Sequence, residues 1–202
     1  WHQAGRALIV SVNLSTKDLH DPELPDQIAG IAAKTGLLPE WIVFEITEGS
    51  IMVDPLRVLA IVERLRGMGF HLSIDDFGTG YSSLSYLKKL PVSELKIDKS
   101  FVMDMLASES DAVIVRATVD LAHNLGLKVT AEGIENPEAL EMLKRFGCDI
   151  GQGFLFAQPM PMAELEAWLS AWPLASTGAR PAAFFDPALQ RSTGLGAARP
   201  SA

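Results

Sequence analysis

Two adjacent carboxylates, Asp75 and Asp76, stand where the apolar run 70–74 gives way to Phe77-Gly78-Thr79-Gly80. Like charges side by side repel. They persist if water screens them, if one carries a proton, or if a cation neutralises them. The last option is chemistry, and it asks for more ligands. The sequence offers polar residues at matching places: Asn13 after the run 8–12, Glu45 after 41–44, Lys96 within 94–98, Glu132 after 128–131, and Gln152 between Gly151 and Gly153. Oxygen donors from Asn13, Glu45, Asp75, Asp76 and Glu132 suit Mg²⁺, Mn²⁺ or Ca²⁺ and not zinc, because neither histidine nor cysteine takes part. Adjacent aspartates let one carboxylate bridge two ions while its neighbour holds one. Two ions roughly 3.5–4 Å apart activate water and stabilise an in-line phosphoryl displacement. A lysine in the same mouth positions that water and helps deprotonate it, or stabilises charge on a phosphate. The chemistry expected from these residue types is metal-dependent phosphoester hydrolysis.

Each residue alone also has an ordinary reading. Asn13 caps a turn. Glu45 pairs with an arginine, and Glu48 is a helix-start acid. Asp75-Asp76 is an N-cap with a solvated neighbour. Lys96 and Asp98 form a surface ion pair, and Gln152 braces a loop. What weakens the ordinary readings is their coincidence at one kind of place, the ends of strands. His71 and His123 lack partners at ligand spacing and are expected to be structural. Cys148 is expected to be buried and inert.

The elements that position these residues recur in a rhythm. Strand-like runs occupy 8–12, 41–44, 70–74, 94–98, 128–131 and 149–153. Helical periodicity occupies 22–34, a segment from Pro55 with Leu59, Val62 and Leu65 on one face, 82–90, 111–125, 137–146 and 162–172, with Asp54-Pro55 and Asn136-Pro137 as start signals. Strand then helix, six times over, predicts an α/β fold with a parallel sheet. A barrel is favoured over an open doubly wound sheet, because nearly every strand ends in a polar residue and only a barrel aims most strand ends at one centre.

Composition sets outer limits. The 202 residues are 48% hydrophobic and 21% charged, as in ordinary globular domains. A formal net charge of −8 argues against binding duplex DNA or RNA, yet permits a small anion held through metal ions. The single cysteine excludes an internal disulfide and fits a reducing compartment. No run is apolar enough to span a bilayer. From Pro173 onward Ala, Pro, Gly, Ser and Arg dominate, so the expected organisation is a folded domain over 1–172 and a disordered tail over 173–202.

Six stretches carry a family resemblance. They are Val12-Asn13-Leu14-Ser15, Phe44-Glu45-Ile46-Thr47-Glu48, the run from Ile74 through Asp75-Asp76-Phe77-Gly78-Thr79-Gly80 to Leu84, the run Leu95-Lys96-Ile97-Asp98 to Val102, Ala131-Glu132-Gly133-Ile134-Glu135, and Gly151-Gln152-Gly153. In that order the chain resembles the EAL domain, the cyclic di-GMP phosphodiesterase family of bacterial signalling. The resemblance implies a TIM-type (β/α)8 barrel whose first strand runs antiparallel, and hydrolysis of cyclic di-GMP to pGpG. It implies two Mg²⁺ or Mn²⁺ ions, with Ca²⁺ inhibitory. Asn13, Glu45 and Asp75 would hold the first ion. Asp75, Asp76 and Glu132 would hold or support the second. Lys96 would contact the catalytic water, with Gln152 helping to position it. Glu48 would anchor the loop that holds Phe77, Gly78, Thr79 and Gly80, and Glu135 would stand behind the ligands.

One departure matters. The Glu-Ala-Leu signature that names the family is absent from this chain. The expectation is therefore an incomplete barrel of about six strand–helix units with the first two strands missing, and a first metal short of one ligand. Trp1 is not a natural start, so the chain is expected to be a fragment of a longer protein. The parent reading is a cytoplasmic phosphodiesterase, with room for membrane anchoring through a preceding region, a homodimer, and an upstream sensory or GGDEF-type domain. The rival is a catalytically silent receptor module for cyclic di-GMP.

Overall fold

The structure is a computed structural model that describes residues 1–2, 8–80 and 84–171. The expected tail over 173–202 lies outside the described residues. Two compact units emerge, Trp1–Gln158 and Pro159–Ala202.

The first unit alternates strand and helix. Its strands are β1 (Val10–Leu14), β2 (Ile42–Thr47), β3 (His71–Phe77), β4 (Glu94–Ile97), β5 (Lys128–Ala131) and β6 (Ile150–Gly151). Its helices are α1 (Leu24–Thr35), α2 (Glu48–Val53), α3 (Pro55–Gly67), α4 (Leu84–Leu87), α5 (Lys99–Asp104), α6 (Glu109–Asn124) and α7 (Pro137–Phe146). The second unit holds α8 (Met162–Ala171), which buries no residue fully. No helix among the described residues is long and apolar enough to cross a membrane.

All six strands pair in parallel, in the order β1-β2-β3-β4-β5-β6. Sequence order and spatial order coincide, so there is no point at which strand order reverses. That is the arrangement of a TIM-type barrel over part of its circumference, and it sets aside the doubly wound alternative.

Residues paired across parallel strands share a face. One face carries Phe44, Leu72, Ile46, Ile74, Leu95 and Val129 in register. Helices cover it with Val58, Ile61, Val62 and Leu65 of α3 and Val115, Val119 and Ala122 of α6, all buried. The opposite face carries Glu45, Ser73, Glu94, Lys96 and Thr130, and it too is buried. Burial of a polar sheet face is what a sheet curving toward closure produces.

Local chemistry sets the helix starts. Side chains of Thr47, Asp54, Asp98, Ser108 and Asn136 accept hydrogen bonds from the first turns of α2, α3, α5, α6 and α7. The short helices α2 and α5 are not among the periodic helices, although the ordinary reading of Glu48 as a helix-start acid is met at the first residue of α2. Six residues are too few for a clear apolar period, and only the caps announce them. β3 runs to Phe77, three residues past its expected end, because Asp75 and Asp76 lie inside the strand. The last strand shrinks to Ile150–Gly151, because Gly153 leaves the ladder to press on Ile134. A Cβ at Gly153 would stand 2.2 Å from the Ile134 carbonyl oxygen.

Candidate functional site

The β3–β4 pairing explains how neighbouring aspartates come to share one mouth. In a regular strand, successive side chains point to opposite faces. Here Ile74 pairs with Leu95 and Phe77 pairs with Ile97. Three steps on β3 match two on β4, so Asp75 and Asp76 together oppose Lys96. This is a β-bulge, a device that re-aims a side chain. Asp76 adopts φ 53°, the one described non-glycine residue with positive φ. Left-handed backbone is unusual outside glycine and is most tolerable for Asp and Asn. As a result Asp75, Asp76 and Glu132 offer carboxylate oxygens that all lie within 4.8 Å of one another.

Lys96 sits at the centre of the acids. Its Nζ lies 2.6 Å from Glu132 Oε1, 2.9 Å from Glu45 Oε1 and 3.1 Å from Asp75 Oδ1. The lysine side chain is only 4% exposed. Burial alone would lower its pKa. Hydrogen bonds to Glu132 and Glu45, reinforced by their charges, outweigh burial and hold the ammonium above its ordinary value. The surface pair of Lys96 with Asp98 does not form. Asp98 instead caps α5, accepting from the Ser100 N–H at 3.0 Å and from the Ser100 hydroxyl.

The carboxylates are tuned apart. Burial pushes Glu132 up, and Lys96 opposes this only in part. Asp76 is raised by burial, then by the charges of Asp75 and Asp98. Asp98 is partly buried, which favours its neutral form, but the Ser100 donors hold it below the usual carboxylate range. Asp75 Oδ1 is buried and, despite its closeness to the ammonium, accepts no well-formed hydrogen bond. A buried acceptor without a donor, beside two more carboxylates, fits a hard divalent cation.

A second layer lies beneath. Glu94 and Thr130 stand two residues before Lys96 and Glu132, on the same faces of β4 and β5. The Thr130 hydroxyl donates to Glu94 Oε1 at 2.5 Å, and burial pushes the Glu94 carboxyl up. Sequence reasoning passed over this pair, although the two-residue spacing from Lys96 and Glu132 was the signal.

Glu48 is buried, and its Oε2 accepts from the N–H groups of Gly78 at 3.0 Å and Gly80 at 3.2 Å. Gly78 has φ 101°, and a Cβ there would meet the Phe101 ring at 2.9 Å. Thr79 Oγ1 donates to the Asp76 carbonyl at 2.8 Å. The loop is thus tied to Glu48 on both sides of Thr79 and, through Thr79, to the backbone of Asp76.

The structure brings together Glu45, Asp75, Asp76, Lys96 and Glu132. Asn13 pairs with Glu45 across β1 and β2, but its exposed side chain makes no hydrogen bond among the described residues. Gln152 contributes through its backbone, donating to Ala131 O and accepting from Ile134 N–H. Glu135 is exposed and touches none of these groups by hydrogen bond or ion pair. His71 and His123 take structural partners, Arg66 at 3.2 Å and Asp149 at 2.9 Å. The half-buried Cys148 thiol is pushed up to about 11 by burial, which keeps it protonated and inert.

Comparison with known proteins places this geometry. The family model described as "EAL domain" matches residues 1–159. The cyclic di-GMP phosphodiesterase NbdA of Pseudomonas aeruginosa is 43% identical over 172 residues, which is 85% of this chain and 22% of that protein. The bifunctional diguanylate cyclase/cyclic di-GMP phosphodiesterase MucR of the same organism is 44% identical over 168 residues, 83% of this chain and 24% of that protein. The chain therefore spans about a quarter or less of these curated relatives. The solved PaMucR phosphodiesterase in its c-di-GMP complex superposes with a TM-score of 0.79 at 44% identity, covering 82% of this chain and 67% of that one. The manganese/cy-diGMP complex of Klebsiella pneumoniae BlrP1 gives 0.70 at 33% identity, covering 75% and 39%.

Proposed function

The chain belongs to the EAL domain family, and from that premise we propose that it carries the site of a metal-dependent phosphodiesterase that opens cyclic di-GMP to pGpG in bacterial second-messenger signalling. The observation that carries the reading is the bulge that sets Asp75 and Asp76 against Lys96 beside Glu132. Likeness to the cyclic di-GMP phosphodiesterases NbdA and MucR supports the substrate, and the manganese complex of BlrP1 supports the cofactor.

Asp75, Asp76 and Glu132 hold one Mg²⁺ or Mn²⁺ ion. Asn13, Glu45 and Asp75 contribute to a second. Bound divalent ions supply a water nucleophile at neutral pH and charge stabilisation on the phosphate. Lys96 in its charged form donates to a water or a phosphoryl oxygen. To accept a proton, it must first be released by Glu45 and Glu132, whose contacts hold it protonated. Gln152 helps to position the water, and Glu135 stands behind the ligands. Glu48 fixes the Phe77–Gly80 loop and so keeps Asp76 at its unusual backbone angle. Ca²⁺ is inhibitory, because its looser coordination disturbs an in-line geometry. A cytoplasmic parent protein is compatible with this reading, with room for a homodimer, an upstream sensory or GGDEF-type domain, and membrane anchoring through a preceding region.

The test is incubation of the chain with cyclic di-GMP and Mn²⁺ or Mg²⁺, with pGpG followed by chromatography. Turnover that is lost in Lys96→Ala, with nucleotide binding retained, supports the reading. Binding without turnover in the unaltered chain would favour a silent receptor module instead. Equal rates with Mg²⁺, Mn²⁺ and Ca²⁺ would sink the two-metal mechanism.

A further inference from the structure

A second cluster of charge lies between α6 and α7. A cavity of about 370 Å³ is lined by Arg116 and Asp120 of α6 and by Met142, Arg145 and Phe146 of α7. None of these residues belongs to the acid cluster around Lys96. The arginines are the informative part. The described residues include five: Arg57, Arg64, Arg66, Arg116 and Arg145. Arg57 pairs with Asp54, Arg64 with Asp26, and Arg66 with His71. Arg116 and Arg145 make no ion pair or side-chain hydrogen bond among the described residues, and both line this one cavity. In a chain of net charge −8, two exposed guanidinium groups on one groove, with Asp120 the one carboxylate among its lining residues and paired to neither, form a local excess of positive charge.

We propose that this groove is a binding site for a nucleoside 5′-monophosphate. Two guanidinium forks, one from each helix, match the oxygens of a phosphate monoester. Phe146 and Met142 supply apolar, polarisable surface for a planar base. Asp120 accepts hydrogen bonds, so it favours a base that presents N–H donors on its edge or a ribose hydroxyl, and guanine presents two such donors together. The volume falls within the range of small-ligand sites, about 300–1,000 Å³. A bare inorganic anion would use the arginines but gain nothing from Phe146 and would meet the Asp120 charge. The groove therefore selects the ring together with the phosphate. Its binding needs no metal and is independent of the phosphodiesterase reading.

The experiment is calorimetric titration of the chain with GMP in EDTA, which removes divalent ions from the acid cluster. Guanosine and inorganic phosphate are titrated in parallel. Saturable GMP binding is expected, with guanosine and phosphate each weaker. The Arg116→Ala/Arg145→Ala double variant is expected to lose about tenfold or more in affinity, as for hydrogen bonds to a charged group. Arg116→Lys/Arg145→Lys is expected to fall between, because it keeps charge but not the fork. Arg57→Ala, an arginine on α3 that does not line the groove, is expected to bind GMP like the unaltered chain, with thermal melts checking that each variant is folded. Absence of saturable GMP binding, or binding that the double variant retains, overturns the proposal. Phosphate binding as tight as GMP binding also overturns it, since the ring would then contribute nothing.

Discussion

Replacing Lys96 by methionine removes the cation and keeps the bulk. Three acids lose their shared partner at once: Glu132 at 2.6 Å, Glu45 at 2.9 Å and Asp75 at 3.1 Å. Their side chains are 16%, 8% and 13% exposed, so water compensates little. Removing one partner from a buried ion pair costs about 3–5 kcal/mol, because the other charge stays buried. Domain stabilities are about 5–15 kcal/mol, so Lys96→Met should consume a large part of the total. Two controls separate this cause from a packing defect. Mn²⁺ can neutralise the same carboxylates, and a ligand at a hundredfold excess over its Kd adds about 2.7 kcal/mol. Mn²⁺ should therefore stabilise the variant more than the unaltered chain, where Lys96 competes for Asp75 and Glu132. Acid should also narrow the gap. Glu132 already has a raised folded pKa and loses an opposing charge in the variant. A carboxyl raised in the fold is a liability when ionised, and that liability fades as pH falls through the folded value. The assay is urea unfolding at pH 7.5 in EDTA, with excess Mn²⁺, and at pH 5.5. Equal stability of the two proteins in EDTA at pH 7.5 would refute the reasoning. So would a deficit that neither Mn²⁺ nor acid reduces.

Glu48→Gln keeps the shape but weakens the acceptor for the Gly78 and Gly80 amides. Hydrogen bonds to charged groups contribute about 1.5–3 kcal/mol, so these two amides should exchange hydrogen at least tenfold faster while core amides of β2 stay protected. Gly153→Ala drives a Cβ into the Ile134 backbone. It should lower the melting temperature by several degrees, whereas Gly30→Ala, with open space around it, should not. His71 is buried, and its pKa is lowered to about 4 by burial and then by Arg66. Arginine can only donate, so Nδ1 accepts and the ring is neutral. The unfolded chain takes up a proton near 6.5 while the folded chain resists until about 4. Stability is therefore full above pH 6.5 and declines through this window by about 3 kcal/mol. His71→Gln should flatten that part of the acid limb in urea titrations, and an unchanged slope would rule out His71 as its source.

Much of the barrel was legible because strands and helices advertise themselves by period and cap. The six strand ends could be read one by one, since each apolar run stops at a polar residue. The short helices α2 and α5 escaped, because one and a half turns leave no period to detect. The ordinary pairing of Lys96 with Asp98 failed for a geometric reason. Residues two apart on a strand share a face, but Asp98 had already left β4 to cap α5, while Lys96 stayed among the acids. Glu94 and Thr130 escaped because neither sits at the carboxyl end of its strand, where the candidate residues were sought.

What the sequence determined by itself was the inventory: hard oxygen donors and one lysine at the carboxyl ends of parallel strands, in the order of the EAL motifs. The tertiary structure decided how that inventory meets. Strand alternation would have turned Asp75 and Asp76 to opposite faces. The bulge against β4 and the left-handed backbone at Asp76 bring both to one mouth. The protonation of Lys96 was equally a tertiary matter. Burial and the two glutamates push its pKa in opposite directions, and only their distances tell which prevails. Composition fixes which charges exist, whereas the balance of solvation and Coulomb energy at each of them depends on what the fold places within a few ångströms.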